Sequence, residues 1–271
     1  MIFASDLDQT LIYSRKSFRT HIEDASIQLI ETLDGKEISF ISYKTISLLK
    51  KLQLHSYFIP VTTRTIEQFQ RLLLFKNEII PEYVVTSNGG NILHNGKQDT
   101  IWKEKIQKRI STECLESNDI LKEFEQLAHI DWVTSKKTAD RLFHYCIVKR
   151  ENIPYDELKA FTAWLDEQGW THSLQGRKLY FVPKPVNKWD AVQYIKEILQ
   201  IDTVITAGDS LLDLCMLEKA NYAFAPLHGE LGATHDNLQP HILKTNEIGI
   251  YAAEEIVSKA LQIIHRSLPT L

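Results

Sequence analysis

Two carboxylates one residue apart, Asp6 and Asp8 in "FASDLDQTLIYS", stand where an apolar run ends, with Thr10 close behind them. A strand end needs only a turn residue. Like charges at that spacing repel, so the pair either stands in water without a role or has a positive partner lying between them. Asp209 and Asp213 in "GDSLLD" supply two more carboxylates far along the chain. Asp6, Asp8 and Asp209 brought together would each raise the others' pKa unless a cation compensated them. Oxygen donors without cysteine or histidine select a hard ion, and Mg²⁺ takes one or two carboxylates with water and a substrate phosphate. With Ser210 as the N-cap of a following helix, Asp209 and Asp213 face the same side of its first turn. Asp213 is then either a second or water-mediated ligand or the holder of a lysine. Lys188 in "VPKPVNKWDAV" suits that lysine: it opens a helix behind Asn187, where its charge opposes the helix dipole unless anions compensate it.

These residues need a scaffold that gathers them. Short β-branched or aromatic runs ("MIFASD", "SYFIPVTT", "EYVVTSNGG", "DTVITAGDS", "NYAFAPL") alternate with helical patterns ("SYKTISLLKKLQL", "TIEQFQRLLLFK", "NKWDAVQYIKEILQ", "YAAEEIVSKALQIIHRSL"). Near-continuous apolar strands between amphipathic helices predict an α/β fold, a doubly wound, mainly parallel Rossmann-like sheet covered on both faces. Ligands bind at the carboxyl ends of such strands. Every polar cluster falls at one: Asp6/Asp8, Thr62-Thr63-Arg64, Ser87-Asn88 and Asp209/Asp213.

Between residues 92 and 183 the texture changes. "ILHNGKQDTIWKE" reads as a hairpin and "STECLESNDILKEFEQL" as a helix. "IDWVTS" and "RLFHYCIVKR" read as strands, "YDELKAFTAWLDEQG" as a helix, and "WTHSL" with "RKLYFVP" as a strand pair around Gln175-Gly176. The sequence thus predicts a core of residues 1–91 and 184–271 and an inserted α+β cap domain over 92–183. A smaller insertion at 26–42 alternates around Asp34-Gly35, the signal of a hairpin flap beside the first strand.

Composition narrows the classes. The 271 residues are 44% hydrophobic and 24% charged, with net charge -4, enough for real cores and no footprint for nucleic acid. No apolar run is long enough to span a membrane, so no membrane association is expected. Cys114, Cys146 and Cys215 are odd in number and far apart, which fits a reducing, cytoplasmic setting. Oligomeric state is not legible.

"DLDQT", "VTTRT", "NKWDAV" and "GDSLLD" occur in the order of the four motifs of the haloacid dehalogenase (HAD) superfamily, which the chain resembles. The insertion before Lys188, with "VVTSNGG", "GRKLYFVPKPVNK" and "TNEIGIYAAEEIVSKAL", resembles the type IIB cap subgroup, the Cof-like and sucrose-phosphatase-like enzymes. The resemblance implies a Mg²⁺-dependent phosphomonoesterase acting on a small phosphorylated metabolite, most simply a phosphosugar, through an aspartyl-phosphate. It implies Asp6 as nucleophile, Asp8 as general acid and base, and Thr62 and Lys188 on the phosphoryl oxygens. It implies a metal held by Asp6, the backbone carbonyl of Asp8, Asp209 and Asp213. Arg64 and Asn88, with Arg177 and Lys178 on the cap's "HSLQGRKLY" turn, are candidate substrate contacts. A phosphomutase or phosphotransferase of the same fold, or a phosphometabolite-binding module without turnover, are the alternatives. Three positions depart from the pattern: Gln9 and Trp189 stand where glycine is common, and Leu212 where asparagine is usual.

Overall fold

The computed structural model describes residues 1–234 and 238–267. The chain forms two units, Met1–Gln98 with Lys188–Leu271 and, inserted between, Asp99–Asn187.

The first unit begins with β1 (Ile2–Ser5), four buried residues. The hairpin β2 (Ile27–Leu33) and β3 (Lys36–Ser42) follows, turning at Asp34 and Gly35, both at positive φ, as a two-residue hairpin turn requires. Next come α1 (Tyr43–Gln53), capped by the Ser42 hydroxyl, and β4 (Tyr57–Pro60). The helical pattern at 65–76 divides into α2 (Ile66–Gln70), opened by a Thr65–Gln68 capping box, and the single turn α3 (Leu74–Asn77). β5 (Tyr83–Thr86), β6 (Asn91–His94) and β7 (Lys97–Gln98) form an antiparallel sheet. The hairpin at 91–98 therefore lies in the first unit, because β6 pairs with β5.

The second unit contains α4 (Thr100–Glu113), α5 (Ser117–Leu127), β8 (Val133–Ala139), β9 (Phe143–Val148), α6 (Tyr155–Glu167), β10 (Trp170–Gln175) and β11 (Lys178–Pro183). Its sheet runs β10-β11-β9-β8, all antiparallel. "DTIWKE" is helix rather than hairpin: the Asp99 carboxylate accepts from Trp102 N at 2.9 Å and starts α4. The predicted helix over "STECLESNDILKEFEQL" is broken where Cys114 turns extended, between α4 and α5. Phe124, Phe161, Phe181, Trp132 and Trp170 anchor this unit's own core.

Back in the first unit follow α7 (Lys188–Leu199), β12 (Val204–Ala207), α8 (Leu214–Leu217), β13 (Tyr222–Ala225), α9 (Glu230–Thr234), β14 (Ile242–Lys244) and α10 (Ile250–Ser267). Leu268, the end of the predicted helical pattern, lies outside the described residues. Three-residue β14 at the sheet edge is too short to show alternation in sequence. The five strands run β14-β13-β12-β1-β4, every pair parallel. β5 continues this order through a parallel bridge between Val61 and Val85.

This order decides where a site can form. From β1 the chain goes to β4 on one side, and only after the insertion reaches β12 on the other. β1 is thus the switch point, where connections diverge and leave a crevice at the strand's carboxyl end. Asp6 is the first residue beyond that end.

Candidate active site

Asp6 leaves β1 with its amide donating to Ala207 O at 2.9 Å, so its backbone is tied to the end of β12. Asp209 follows β12 by two residues. Ser210 and Asp213 then close a capping box: Ser210 N and Oγ donate to Asp213 Oδ2 at 2.9 and 2.8 Å. The predicted helix start at Ser210 is a 3-10 turn, Leu211–Asp213, leading into α8. Glycines permit this crowding. A Cβ on Gly208 would overlap the Asp213 side chain, and one on Gly229 would lie 2.7 Å from Asp209 O.

Asp6, Asp209 and Asp213 each offer a carboxylate oxygen within 4.8 Å of the others, and all three are buried. Lys188, the first residue of α7 and 1% exposed, donates from Nζ to Asp6 Oδ1 at 2.7 Å and to Asp213 Oδ1 at 2.5 Å. The partners that Lys188 needs against the helix dipole are these two carboxylates. Three carboxylates and one ammonium leave two negative charges, the complement of a divalent cation. Burial pushes the Asp6 carboxyl up to about 7, with Asp213 adding to the rise and Lys188 opposing it. Asp209 is raised well above the usual carboxylate range, by burial first and then by Asp6 and Asp213. Burial works against the Lys188 ammonium, but Asp213 and Asp6 outweigh it and raise its pKa. An all-oxygen, buried cluster that is doubly negative once its three acids are ionised fits Mg²⁺.

Asp8 sits differently from its expected place among the clustered side chains. Its carboxylate is half exposed and takes a two-pronged bond from Arg64, Nε to Oδ2 at 2.7 Å and Nη2 to Oδ1 at 2.8 Å. The third clustered carboxylate is Asp213. Arg64 is pinned behind by Glu31 Oε2 at 2.8 Å. Burial disfavours its charge, yet Asp8 and Glu31 together raise its pKa.

Thr62 is fully buried beyond β4. Its amide donates to Val85 O at 2.9 Å, and its hydroxyl accepts from Arg64 N at 3.1 Å. Asn88 N donates to Thr62 O at 2.9 Å, and Ser87 N to Arg64 O at 2.7 Å, which ties the turn after β5 to the end of β4. Ser87 and Asn88 are consecutive left-handed residues, with φ 52° and 58°, a strained turn held by those bonds. Gln9 also sits in the left-handed region at φ 63°, which explains why glycine is common there. Arg177 and Lys178 belong to the second unit, at the β10–β11 turn. Both are exposed, with Lys178 Nζ 5.9 Å from the Tyr145 ring centre.

Two participants have no sequence signal. Glu31 lies inside what reads as a plain flap. His228 Nε2 reaches Gln9 O at 3.0 Å while its Nδ1 faces Gly249 N at 3.0 Å, bracing the loop after Asp8 from the turn after β13.

A family model described as sucrose-6F-phosphate phosphohydrolase matches residues 1–226. No curated protein matches by sequence. Among solved structures, the sucrose-phosphatase of Synechocystis sp. PCC6803, determined with sucrose and phosphate, is similar with TM-score 0.70 and 15% identity over 98% of each chain. A Thermoplasma acidophilum protein gives 0.63 and 15% over 97% of this chain and 98% of its own. BT4131, described as a HAD subclass IIB sugar phosphatase, gives 0.58 and 14% over 97% and 98%. These distant structures share the fold. It is the family match, spanning most of the chain, that carries the conclusion: the protein belongs to the sucrose-6F-phosphate phosphohydrolase family of the HAD superfamily and is a phosphatase.

Proposed function

We propose that this phosphatase hydrolyses the monoester of a small phosphosugar, using Mg²⁺ and an aspartyl-phosphate intermediate. One observation carries the reading: a buried carboxylate, Asp6, at the sheet's switch point, flanked by a lysine and by two further acids that leave net charge for a divalent cation. The family's description and the sucrose bound in a relative support a sugar as the alcohol half.

Asp6, Asp209 and Asp213 would hold the ion, with the Asp8 carbonyl. A bound Mg²⁺ would offset the repulsion between an anionic nucleophile and an anionic ester. An Asp6 carboxylate oxygen attacks phosphorus. The P–O bond to the sugar breaks, its electron pair goes to the sugar oxygen, and that oxygen takes a proton from Asp8. Asp8, now a carboxylate, removes a proton from water. The resulting hydroxide attacks phosphorus, breaks the P–O bond to Asp6 and frees inorganic phosphate. Lys188 and the Thr62 hydroxyl hold the phosphoryl oxygens on which charge is carried in the transition state. Asn88 and Arg64 border the phosphate. The inserted unit acts as a cap that chooses the substrate, with Arg177 and Lys178 as donors beside an aromatic ring on one sheet, a pairing suited to a polyol.

Mg²⁺-dependent release of phosphate from an aryl phosphate, compared between wild type and Asp6→Asn, tests the chemistry. Wild-type turnover no faster than the variant's would refute it. A screen of phosphorylated sugars for phosphate release then identifies the substrate.

A further inference from the structure

The β2–β3 hairpin carries a buried charge that the hydrolytic steps above leave without a role. Glu31 is 1% exposed. Regular alternation would send Ile30 and Glu31 to opposite faces, yet both are buried. Pairing with β3 slips on either side of Glu31, between Leu29/Glu31 and between Glu31/Thr32. A bulge of this kind re-aims a side chain. Here it turns a carboxylate inward, which is unfavourable unless every oxygen is matched. They are matched: Oε2 accepts from Arg64 Nη1 and from Ser39 Oγ, each at 2.8 Å, and Oε1 accepts from Arg71 Nε at 3.1 Å.

Arg64 spends its remaining donors outward. Nε and Nη2 grip the two Asp8 oxygens, and Nη2 also reaches Ser39 Oγ at 3.1 Å. Side-chain exposure falls along this line from 49% at Asp8 to 11% at Arg64 and 1% at Glu31. The inner end is therefore the fixed point. A planar guanidinium held at its far nitrogen presents its near edge in one direction only. Arg71 serves Glu31 without reaching Asp8 by any hydrogen bond described, so the link to the site runs through Arg64.

We propose that Glu31 is a positioning residue for proton transfer to the leaving group: by anchoring Arg64 it fixes the direction in which Asp8 presents its carboxyl. The proposal rests on the reading of Asp8 as the acid. Each Asp8 oxygen engaged by Arg64 keeps a second lone pair. When Asp8 carries its proton, the carbonyl oxygen stays on the guanidinium and the hydroxyl oxygen turns to the ester oxygen. The hairpin thus positions the acid and is not only a flap beside β1.

Leaving-group basicity separates this role from a structural one, because dinitrophenolate departs without a proton whereas phenolate needs one. The test is the rate of the first phosphoryl transfer, read by rapid quench as phenol released by the Mg²⁺-loaded full chain. Glu31→Gln is expected to slow phenyl phosphate about 10- to 100-fold, part of what a general acid supplies, and to leave 2,4-dinitrophenyl phosphate within about twofold. Glu31→Asp keeps the charge but draws it back from Arg64, so it gives the same selective loss and carries the test alone if Glu31→Gln does not fold. Equal losses on both esters, or no loss on either, overturn the proposal. Asp8→Asn keeps the two failures apart. If it is not selective for phenyl phosphate, the reading of Asp8 falls; if it is selective and the Glu31 variants are not, only the role of Glu31 falls.

Discussion

Lys188 Nζ lies 2.7 Å from Asp6 Oδ1, although 182 positions separate the two residues, and 2.5 Å from Asp213 Oδ1. One ammonium thus ties the loop after β1 to the turn after β12 across the start of α7. Removing it leaves two buried carboxylates facing each other. Lys188→Met is expected to lower stability by roughly 3–5 kcal/mol in urea unfolding without metal, the usual result of breaking a buried pair from one side. Added Mg²⁺ should recover part of the loss. A change below about 1 kcal/mol would show that the bridge is not what compensates the acids.

The acids also predict how metal binding depends on pH. Asp6 is pushed up to about 7, mainly by burial, from an ordinary value of 3.8. Between those values the folded metal-free protein holds a proton that the unfolded chain has released. Its stability therefore falls as pH rises from about 4 to about 7. Mg²⁺ displaces that proton, so the rise in Tm on adding Mg²⁺ should grow across the same window and be largest near pH 8, within about a unit. Calorimetry at three pH values checks this. Asp209→Asn should remove most of the increment, and an increment independent of pH would contradict the assignment.

Gln9 holds a left-handed backbone with an exposed side chain. A residue other than glycine there costs about 1 kcal/mol or more, while glycine adds entropy to the unfolded chain. Gln9→Gly is expected to raise Tm by a few degrees, corresponding to a net gain of up to about 1 kcal/mol. A fall in Tm would mean that contacts of the glutamine outweigh the strain.

His144 makes the inserted unit sensitive to acid. Its ring is 2.6 Å from Ser117 Oγ and 2.9 Å from Thr138 Oγ1, and stacks near Trp170. Burial holds its pKa below the ordinary 6.5. The unfolded chain therefore takes up a proton first as pH falls, and stability declines below about 6.5. Four of the five tryptophans, Trp102, Trp132, Trp164 and Trp170, lie in this unit, so fluorescence-monitored melts report on it. His144→Gln should flatten the decline between about pH 6.5 and 5.

Much of the scaffold is legible from sequence because it depends on local pattern. The buried run before Asp6, the Asp34-Gly35 turn and the amphipathic helices each follow from spacing of a few residues. The hairpin reading of "DTIWKE" missed because an Asp N-cap and a turn residue look alike until the following amides are placed. Asp6, Asp209 and Lys188 were legible as partners because parallel strands deliver their carboxyl ends to one edge, whatever the distance along the chain.

The sequence by itself determined which charges are present and which strand ends carry them. The tertiary structure decided how they pair. Asp8 reads as equivalent to Asp6, and on an extended segment the two would share a face. But β1 ends at Ser5 and the chain turns back on Leu7 through left-handed Gln9, so one points to the Lys188 cluster and the other to Arg64. Glu31 enters the site only because β2 slips against β3, and a slip in register is a property of two strands in contact.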